Sequence, residues 1–74
     1  MERPTVVIQN RIRTLRFEHG EMTQQQLAEQ IGSRQTVSAI EGGKSLPSLE
    51  VAFRIARVLS RPLDEVFQCV MTPP

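Results

Sequence analysis

The chain of 74 residues lacks several features that whole classes of protein require. Its single cysteine, Cys69, excludes an internal disulfide, and one cysteine with one histidine cannot supply a metal cluster. No apolar run approaches the roughly 20 residues that span a bilayer, and the first ten residues lack the pattern of a secretory signal. These absences predict a cytoplasmic protein without a metal or another cofactor.

An excess of charge of one sign is also missing. Nine Lys and Arg oppose eight Asp and Glu, so the net charge is only +1 and gives little bulk attraction to nucleic acid. A chain of this length suits one domain with a modest core rather than a deep catalytic cleft. Because the sequence contains no carboxylate pair, Ser-His set or phosphate-binding glycine loop, we do not expect an enzyme.

Apolar spacing and helix-end signals predict five short helices and no strand. The fourth helix carries an apolar stripe expected in the core, which consists of Leu49, Ala52, Phe53, Ala56 and Leu59. The predicted helices span residues 6–18, 24–31, 34–41, 49–59 and 63–67. The fold class expected is therefore all-α, a compact five-helix bundle over residues 6–67, with a flexible lead at residues 1–5 and a tail at residues 68–74.

Local signals mark the ends of the two central helices. Thr23 and Gln26 have the spacing of a capping box at the start of the second helix. Gly32 ends that helix, and Ser33 can cap the third one. The pair at residues 42–43, two glycines, stops the third helix, so that two short helices are joined by a tight turn.

The stretch QQQLAEQIGSRQTVSAIE, residues 24–41, carries the functional signal. A small Ala28 allows a close helix approach, while Val37 and Ile40 anchor the third helix in the core, as in two helices crossing through a tight turn. The side chains on the other face of the third helix are short or can form hydrogen bonds. Arginine matches the guanine edge and glutamine the adenine edge in a DNA major groove, and the N-termini of both helices offer N–H groups to phosphate.

Five ordered blocks of sequence resemble one family, the lambda-repressor/Cro-like (XRE) helix-turn-helix regulators of the short single-domain type. The blocks are NRIRTLR, TQQQLAEQIG, SRQTVSAIEGGK, PSLEVAFRIARVL and PLDEVF, which together cover about residues 10–67. The resemblance implies a lambda-repressor-like bundle and a sequence-specific DNA-binding transcriptional regulator. The expected form is a repressor that reads a palindromic operator as a homodimer through the major groove. No sensor segment is visible, so no small-molecule effector is predicted.

The helix ends and the resemblance together imply a set of DNA-binding residues on the second and third helices and the loop after them. The set consists of Thr23, Gln24, Gln25, Ser33, Arg34, Gln35, Thr36, Ser38, Ala39 and Lys44. Family logic assigns bases to Arg34, Gln35 and Ala39, and a backbone phosphate to Lys44.

Three further roles follow from the resemblance. Thr36 and Ser38 would lie at the groove wall. Residues 24 and 25, both glutamine, would touch phosphate or brace the recognition helix. Arg16 and Glu41 would form a structural ion pair.

Two departures from the family pattern leave an alternative open. The turn at Gly32 and Ser33 is one aliphatic residue short, and Glu21 is one residue extra before the second helix. A short turn can change the face that Arg34 and Gln35 present, in which case these two are ordinary solvated residues. The alternative function is then a protein-interaction adaptor or antitoxin-like partner that uses the same bundle.

The segment after the last predicted helix is a candidate dimer interface. It contains apolar side chains that a five-helix bundle does not need, and such exposed groups favour an interface. The residues expected in the interface are Phe67, the last residue of that helix, and Cys69, Val70 and Met71 of the tail. The alternative is a frayed terminus, because residues 72–74, TPP, cannot extend a helix.

Overall fold

A computed structural model of the chain describes residues 5–32 and 34–72. Within these ranges the chain forms two strands and five helices. In chain order they are β1 (Thr5–Asn10), α1 (Ile12–Glu18), α2 (Gln24–Ile31), α3 (Arg34–Glu41), α4 (Leu49–Val58), α5 (Leu63–Val66) and β2 (Phe67–Thr72). The predicted bounds of α2 and α3 are confirmed, and the ends of α4 and α5 each fall one residue earlier than predicted.

The prediction of an all-α bundle is wrong, because the chain is a mixed α/β protein. β1 pairs with β2 in an antiparallel ribbon that runs from Thr5 opposite Thr72 to Asn10 opposite Phe67. Residues 6–10, expected in the first helix, belong to β1, and residues 68–72, expected in a tail, belong to β2. The physical reason is the run of β-branched side chains at residues 5–8, TVVI, whose crowding at Cβ favours an extended backbone.

The core lies among the helices. Its buried apolar side chains come from all five of them: Ile12, Leu15, Leu27, Ala28, Ile31, Val37, Ile40, Ala52, Ile55, Ala56, Leu59 and Val66. The stripe predicted on α4 is partly wrong, because Leu49 and Phe53 are exposed whereas Ile55 is fully buried. Two apolar stripes overlap on this helix and share Ala52, Ala56 and Leu59, and the one that packs inward adds Ile55 and leaves out Leu49 and Phe53.

Helix ends follow the expected chemistry. The Thr23 hydroxyl accepts from the Gln26 amide (3.0 Å) and the Gln26 side chain accepts from the Thr23 amide (2.9 Å), which confirms the capping box. Ser48 caps α4 by accepting from the Val51 amide. Gly32 has a φ of 116°, a left-handed conformation that glycine adopts readily. This conformation ends α2.

Backbone and side-chain hydrogen bonds attach the ribbon, and Arg11 directly after β1, to the helices. The Arg11 amide donates to the Val66 carbonyl (2.9 Å), which holds the start of α1 against α5. The Asn10 side chain accepts from the Ile12 amide (3.2 Å) and donates to the Ile40 carbonyl (2.9 Å). The base of the ribbon is thus fixed to α1 and to the end of α3. Among the helices that the structure describes, none is both long and apolar enough to traverse a membrane.

Candidate nucleic-acid interface

The site is built on α2 and α3, which pack against each other across a two-residue connection. Ala28 and Ile31 of α2 and Val37 and Ile40 of α3 are all buried between the helices and the core. α2 ends on Gly32, whose amide donates to the Ala28 carbonyl, and α3 begins at Arg34. This two-residue connection therefore brings both inner faces into the core, as a helix-turn-helix needs.

α3 carries five of the ten residues predicted to contact DNA. Of these, Ser38 is exposed, and Thr36 and Ala39 are half-buried. The backbone of α3 includes Arg34 and Gln35, but their side chains lie outside the described part of the structure, and so does Ser33.

The polar residues at the start of α2 differ in their contacts. Thr23 is exposed and its hydroxyl is engaged in the capping box, while Gln25 is exposed to solvent. Gln24 is half-buried, and its side-chain nitrogen Nε2 donates to one carboxylate oxygen of Glu41 at 2.8 Å. This hydrogen bond links the start of α2 to the end of α3.

Glu41 is the centre of a hydrogen-bonded network at the end of α3. Its second carboxylate oxygen pairs with the Arg16 guanidinium at 3.0 Å, and both side chains are less than a tenth exposed. Arg16 also donates to the Met22 carbonyl at 2.6 Å. The expected ion pair is thus present, and it ties α1, the start of α2 and the end of α3 together.

The loop after α3 is held by backbone contacts. The amides of Gly43 and Lys44 donate to the carbonyls of Ile40 and Ala39, at 3.1 and 2.9 Å, and Gly43 has a φ of 73°. The Lys44 side chain is exposed. Its charge is therefore kept beside the last turn of α3 on a backbone that is anchored to that helix.

Two residues matter more than the sequence reasoning allowed. Asn10 falls within the predicted first helix, residues 6–18, with no role in the site, yet its side chain links the ribbon, α1 and the Ile40 carbonyl. The available signal was its residue type, since Asn just before a helix is a common cap. Glu21, the extra residue, has a φ of 56° directly after Gly20 at 73°, so the insertion is absorbed by two successive left-handed residues.

The residues predicted for a dimer interface all lie on β2. Phe67 is half-buried where the strand leaves α5, and Cys69, Val70 and Met71 are exposed. They lie opposite residues of β1 in the antiparallel ribbon.

Comparison with known proteins gives consistent matches. The family described as helix-turn-helix matches residues 12–66. An uncharacterized HTH-type transcriptional regulator of Archaeoglobus fulgidus is 41% identical over 61 residues, which cover 81% of this chain and 86% of the relative. Another, from Methanothermobacter thermautotrophicus, is 46% identical and covers 76% of this chain and 88% of the relative.

A solved structure is similar across the same region. It is a protein from Bacteroides fragilis described as a candidate DNA-binding protein, and it superposes with a TM-score of 0.75 at 30% identity. The match covers 84% of this chain and all of the other.

Proposed function

The chain belongs to the XRE-type helix-turn-helix family of transcriptional regulators, and from that premise we propose that it is a repressor that binds a palindromic operator as a homodimer. The observation that carries the proposal is the α2–α3 unit, whose inner faces are buried in the core while Ser38 on α3 is exposed. A single helix of this kind reaches only a few base pairs, so specific recognition calls for two half-sites.

Base reading is assigned to the front of α3. An arginine can donate to both acceptors of a guanine edge, and a glutamine can pair with an adenine edge, which are the pairings we propose for Arg34 and Gln35. Ala39 would contact a thymine methyl group, with Thr36 and Ser38 along the groove wall. The Arg16–Glu41 ion pair at the other end of α3 supports this assignment. It holds the helix in place, so that little conformational entropy is lost when the side chains of α3 bind.

We assign the phosphate contacts to individual groups near α2 and α3. The net charge of +1 gives the whole chain little electrostatic attraction to DNA. The N-terminus of α2 presents backbone N–H groups, and Gln25 is exposed beside it. Lys44 is exposed next to the end of α3. Contacts of this type set the position on the duplex and carry no sequence information.

A second candidate function is a protein-interaction adaptor that uses the same bundle. It is favoured by the large exposed apolar side chains Leu46, Leu49 and Phe53, which suit a protein partner better than DNA. An adaptor would bind DNA only weakly, and moderate salt would remove that binding.

The test is a selection of bound sequences from a random DNA pool, followed by titration of variants on the selected operator. We expect a palindromic consensus. Arg34→Ala should lose preference at one base position by roughly 5- to 150-fold, the equivalent of a bidentate base contact. Lys44→Ala should weaken all sequences alike and reduce the salt slope by about one.

Arg11→Ala is the matched control, because it removes the same charge from an exposed position outside α2, α3 and their loop. It should leave affinity and preference unchanged. Equal loss of preference in the Arg34 and Lys44 variants would contradict the assigned roles, and a pool that yields no consensus at physiological salt would favour the adaptor.

A further inference from the structure

The last turn of α3 ends in a closed pattern of backbone hydrogen bonds. The Lys44 amide donates to the Ala39 carbonyl at 2.9 Å and the Gly43 amide to the Ile40 carbonyl at 3.1 Å, with Gly43 at a φ of 73°. These are the bonds of a Schellman motif, which satisfies carbonyls that a helix end leaves without a partner. Because a carbonyl oxygen has two lone pairs, the Ile40 carbonyl can accept a second hydrogen bond.

Asn10 supplies that second hydrogen bond. Its side-chain nitrogen Nδ2 donates to the Ile40 carbonyl at 2.9 Å, across 30 positions of the sequence, and its oxygen Oδ1 accepts from the Ile12 amide at 3.2 Å. A backbone N–H can only donate and a carbonyl can only accept, so the two partners determine which way the planar amide group of Asn10 faces. The side chain is half-buried, and both of its polar atoms are engaged.

The backbone of Asn10 belongs to the ribbon. Asn10 lies opposite Phe67 in the last pair of the β1–β2 register, and the amide of the next residue, Arg11, donates to the Val66 carbonyl of α5 at 2.9 Å. One residue therefore connects three elements, because its main chain is part of β1 while its side chain holds the start of α1 and the end of α3.

We propose that Asn10 is a positioning residue for the recognition helix, which fixes the end of α3 relative to the ribbon and so supports discrimination between bases. The proposal rests on the proposed function of α3. In this role Asn10 does not touch DNA, and it acts through the Ile40 carbonyl.

The bond to the Ile40 carbonyl constrains α3 differently from the Arg16–Glu41 pair. The pair holds a side chain of the helix, and the torsions of Glu41 can adjust while the helix moves. Asn10 instead holds the helix backbone. α3 has eight residues and is about 12 Å long. A tilt of about 10° displaces one end of such a helix by about 2 Å relative to the other, more than the roughly 0.5 Å range of hydrogen-bond lengths.

Contacts to bases require this accuracy more than contacts to phosphate do. A bidentate pairing needs two hydrogen bonds at once, whereas contacts to the DNA backbone carry no sequence information. Loss of the Asn10 bond should therefore reduce the preference for the operator more than it reduces binding to DNA in general. A purely structural residue would instead lower the folded fraction, which weakens binding to all sequences by the same factor.

The test uses substitutions in the full chain that separate the two hydrogen bonds of Asn10. Asn10→Asp keeps an oxygen for the Ile12 amide, as a good helix cap, but removes the donor to the Ile40 carbonyl. Asn10→Ser is the neutral counterpart, because serine is also a good cap and its side chain is one bond shorter. Gln9→Glu is the matched control, since it adds the same charge as Asn10→Asp at the neighbouring, exposed position.

Affinity is measured by titration on the selected operator, on the operator with one base pair changed at the position assigned to Arg34, and on unrelated DNA. Both Asn10 variants should reduce the ratio of operator to mismatch affinity by about fivefold, the equivalent of one neutral hydrogen bond. Gln9→Glu should keep the wild-type ratio. On unrelated DNA, Asn10→Asp should match Gln9→Glu, and Asn10→Ser should match the wild-type chain.

Amide hydrogen exchange of the free chain tests the attachment of α3 without DNA. The Gly43 amide shares the Ile40 carbonyl with Asn10, so it should exchange faster in both Asn10 variants. The Gln26 amide in the cap of α2 should keep its wild-type rate. A change confined to the end of α3 reports a local opening and not a loss of global stability.

Equal losses on operator, mismatch and unrelated DNA would overturn the inference, and so would a wild-type ratio in the Asn10→Ser variant. An unchanged exchange rate at Gly43 in both variants would also overturn it, because α3 would then be held without Asn10. If Asn10→Asp fails to fold, Asn10→Ser decides. Faster exchange at Gly43 in a chain that selects no DNA would refute the proposed function and leave the attachment of α3 to the ribbon standing.

Discussion

Glu41 connects three helices through one carboxylate. It accepts from Arg16 of α1 and from Gln24 of α2, while it closes α3 itself. A charge buried to this degree is tolerated only when it is paired and hydrogen-bonded. The pair thus determines the position of α3 relative to the other two helices, which is the geometry on which DNA recognition would depend.

Removing Glu41 should be far more costly than removing an exposed acid. Glu41→Ala leaves the Arg16 guanidinium buried without its partner, and we expect a loss of about 3 kcal/mol or more in the free energy of unfolding. Glu18→Ala is the control, because Glu18 pairs with Arg61 at 3.3 Å with both side chains more than two fifths exposed, and its loss should be below about 1 kcal/mol. Urea unfolding measures both. Equal losses would contradict a structural role for the buried pair.

At the scale of single elements, α2 is defined by its own ends. Its first turn satisfies two backbone groups through the reciprocal Thr23 and Gln26 bonds, and its last turn is closed by a glycine at positive φ. These are short-range interactions, so the helix has the same bounds whether it is predicted from the sequence or observed. A helix of eight residues needs such ends, because short helices are marginal in isolation.

The cap gives a direct prediction for α2. Thr23→Ala removes the hydroxyl that accepts from the Gln26 amide and should lower the free energy of unfolding by about 1 kcal/mol. Thr23→Ser retains the hydroxyl and should stay within a few tenths of wild type. Thermal and urea unfolding of the two variants check this, and an Ala variant as stable as the Ser variant would show that the cap does not contribute.

At the scale of the whole molecule, the ribbon and the helical core are separate in composition. Among the residues that the structure describes, the buried apolar ones lie between Ile12 and Val66, whereas the ribbon carries mainly exposed side chains. An isolated two-stranded ribbon is marginally stable in water. The ribbon therefore contributes mainly to the surface of the protein and little to its core.

Truncation after Phe67 should separate these two parts. It removes most of β2 and leaves β1 unpaired, but it keeps every buried core residue. We expect the helical circular-dichroism signal to persist, sedimentation to change from dimer to monomer, and affinity for a full palindrome to fall steeply toward that for a half-site. A truncated chain that remains a dimer would place the interface outside residues 68–72.

The sequence alone predicted the features that depend on interactions between residues close together in the chain. Caps, glycine stops and apolar spacing predicted α2 and α3 to the residue, and the family resemblance pointed to the Arg16 and Glu41 pair. The same reasoning failed at α4, where two overlapping stripes satisfy the helical period equally well. Only packing selects Ile55 over Leu49 and Phe53, because burial depends on what the other helices place opposite each stripe.

The ribbon was decided by the tertiary structure. The run of β-branched residues in β1 was a local signal for a strand, but its partner lies 57 to 67 residues further along the chain, from Asn10 opposite Phe67 to Thr5 opposite Thr72. No pattern within either segment specifies that pairing. The helices bring the two ends of the chain together, and the backbone groups of both segments are then satisfied by each other rather than by a helix or by water.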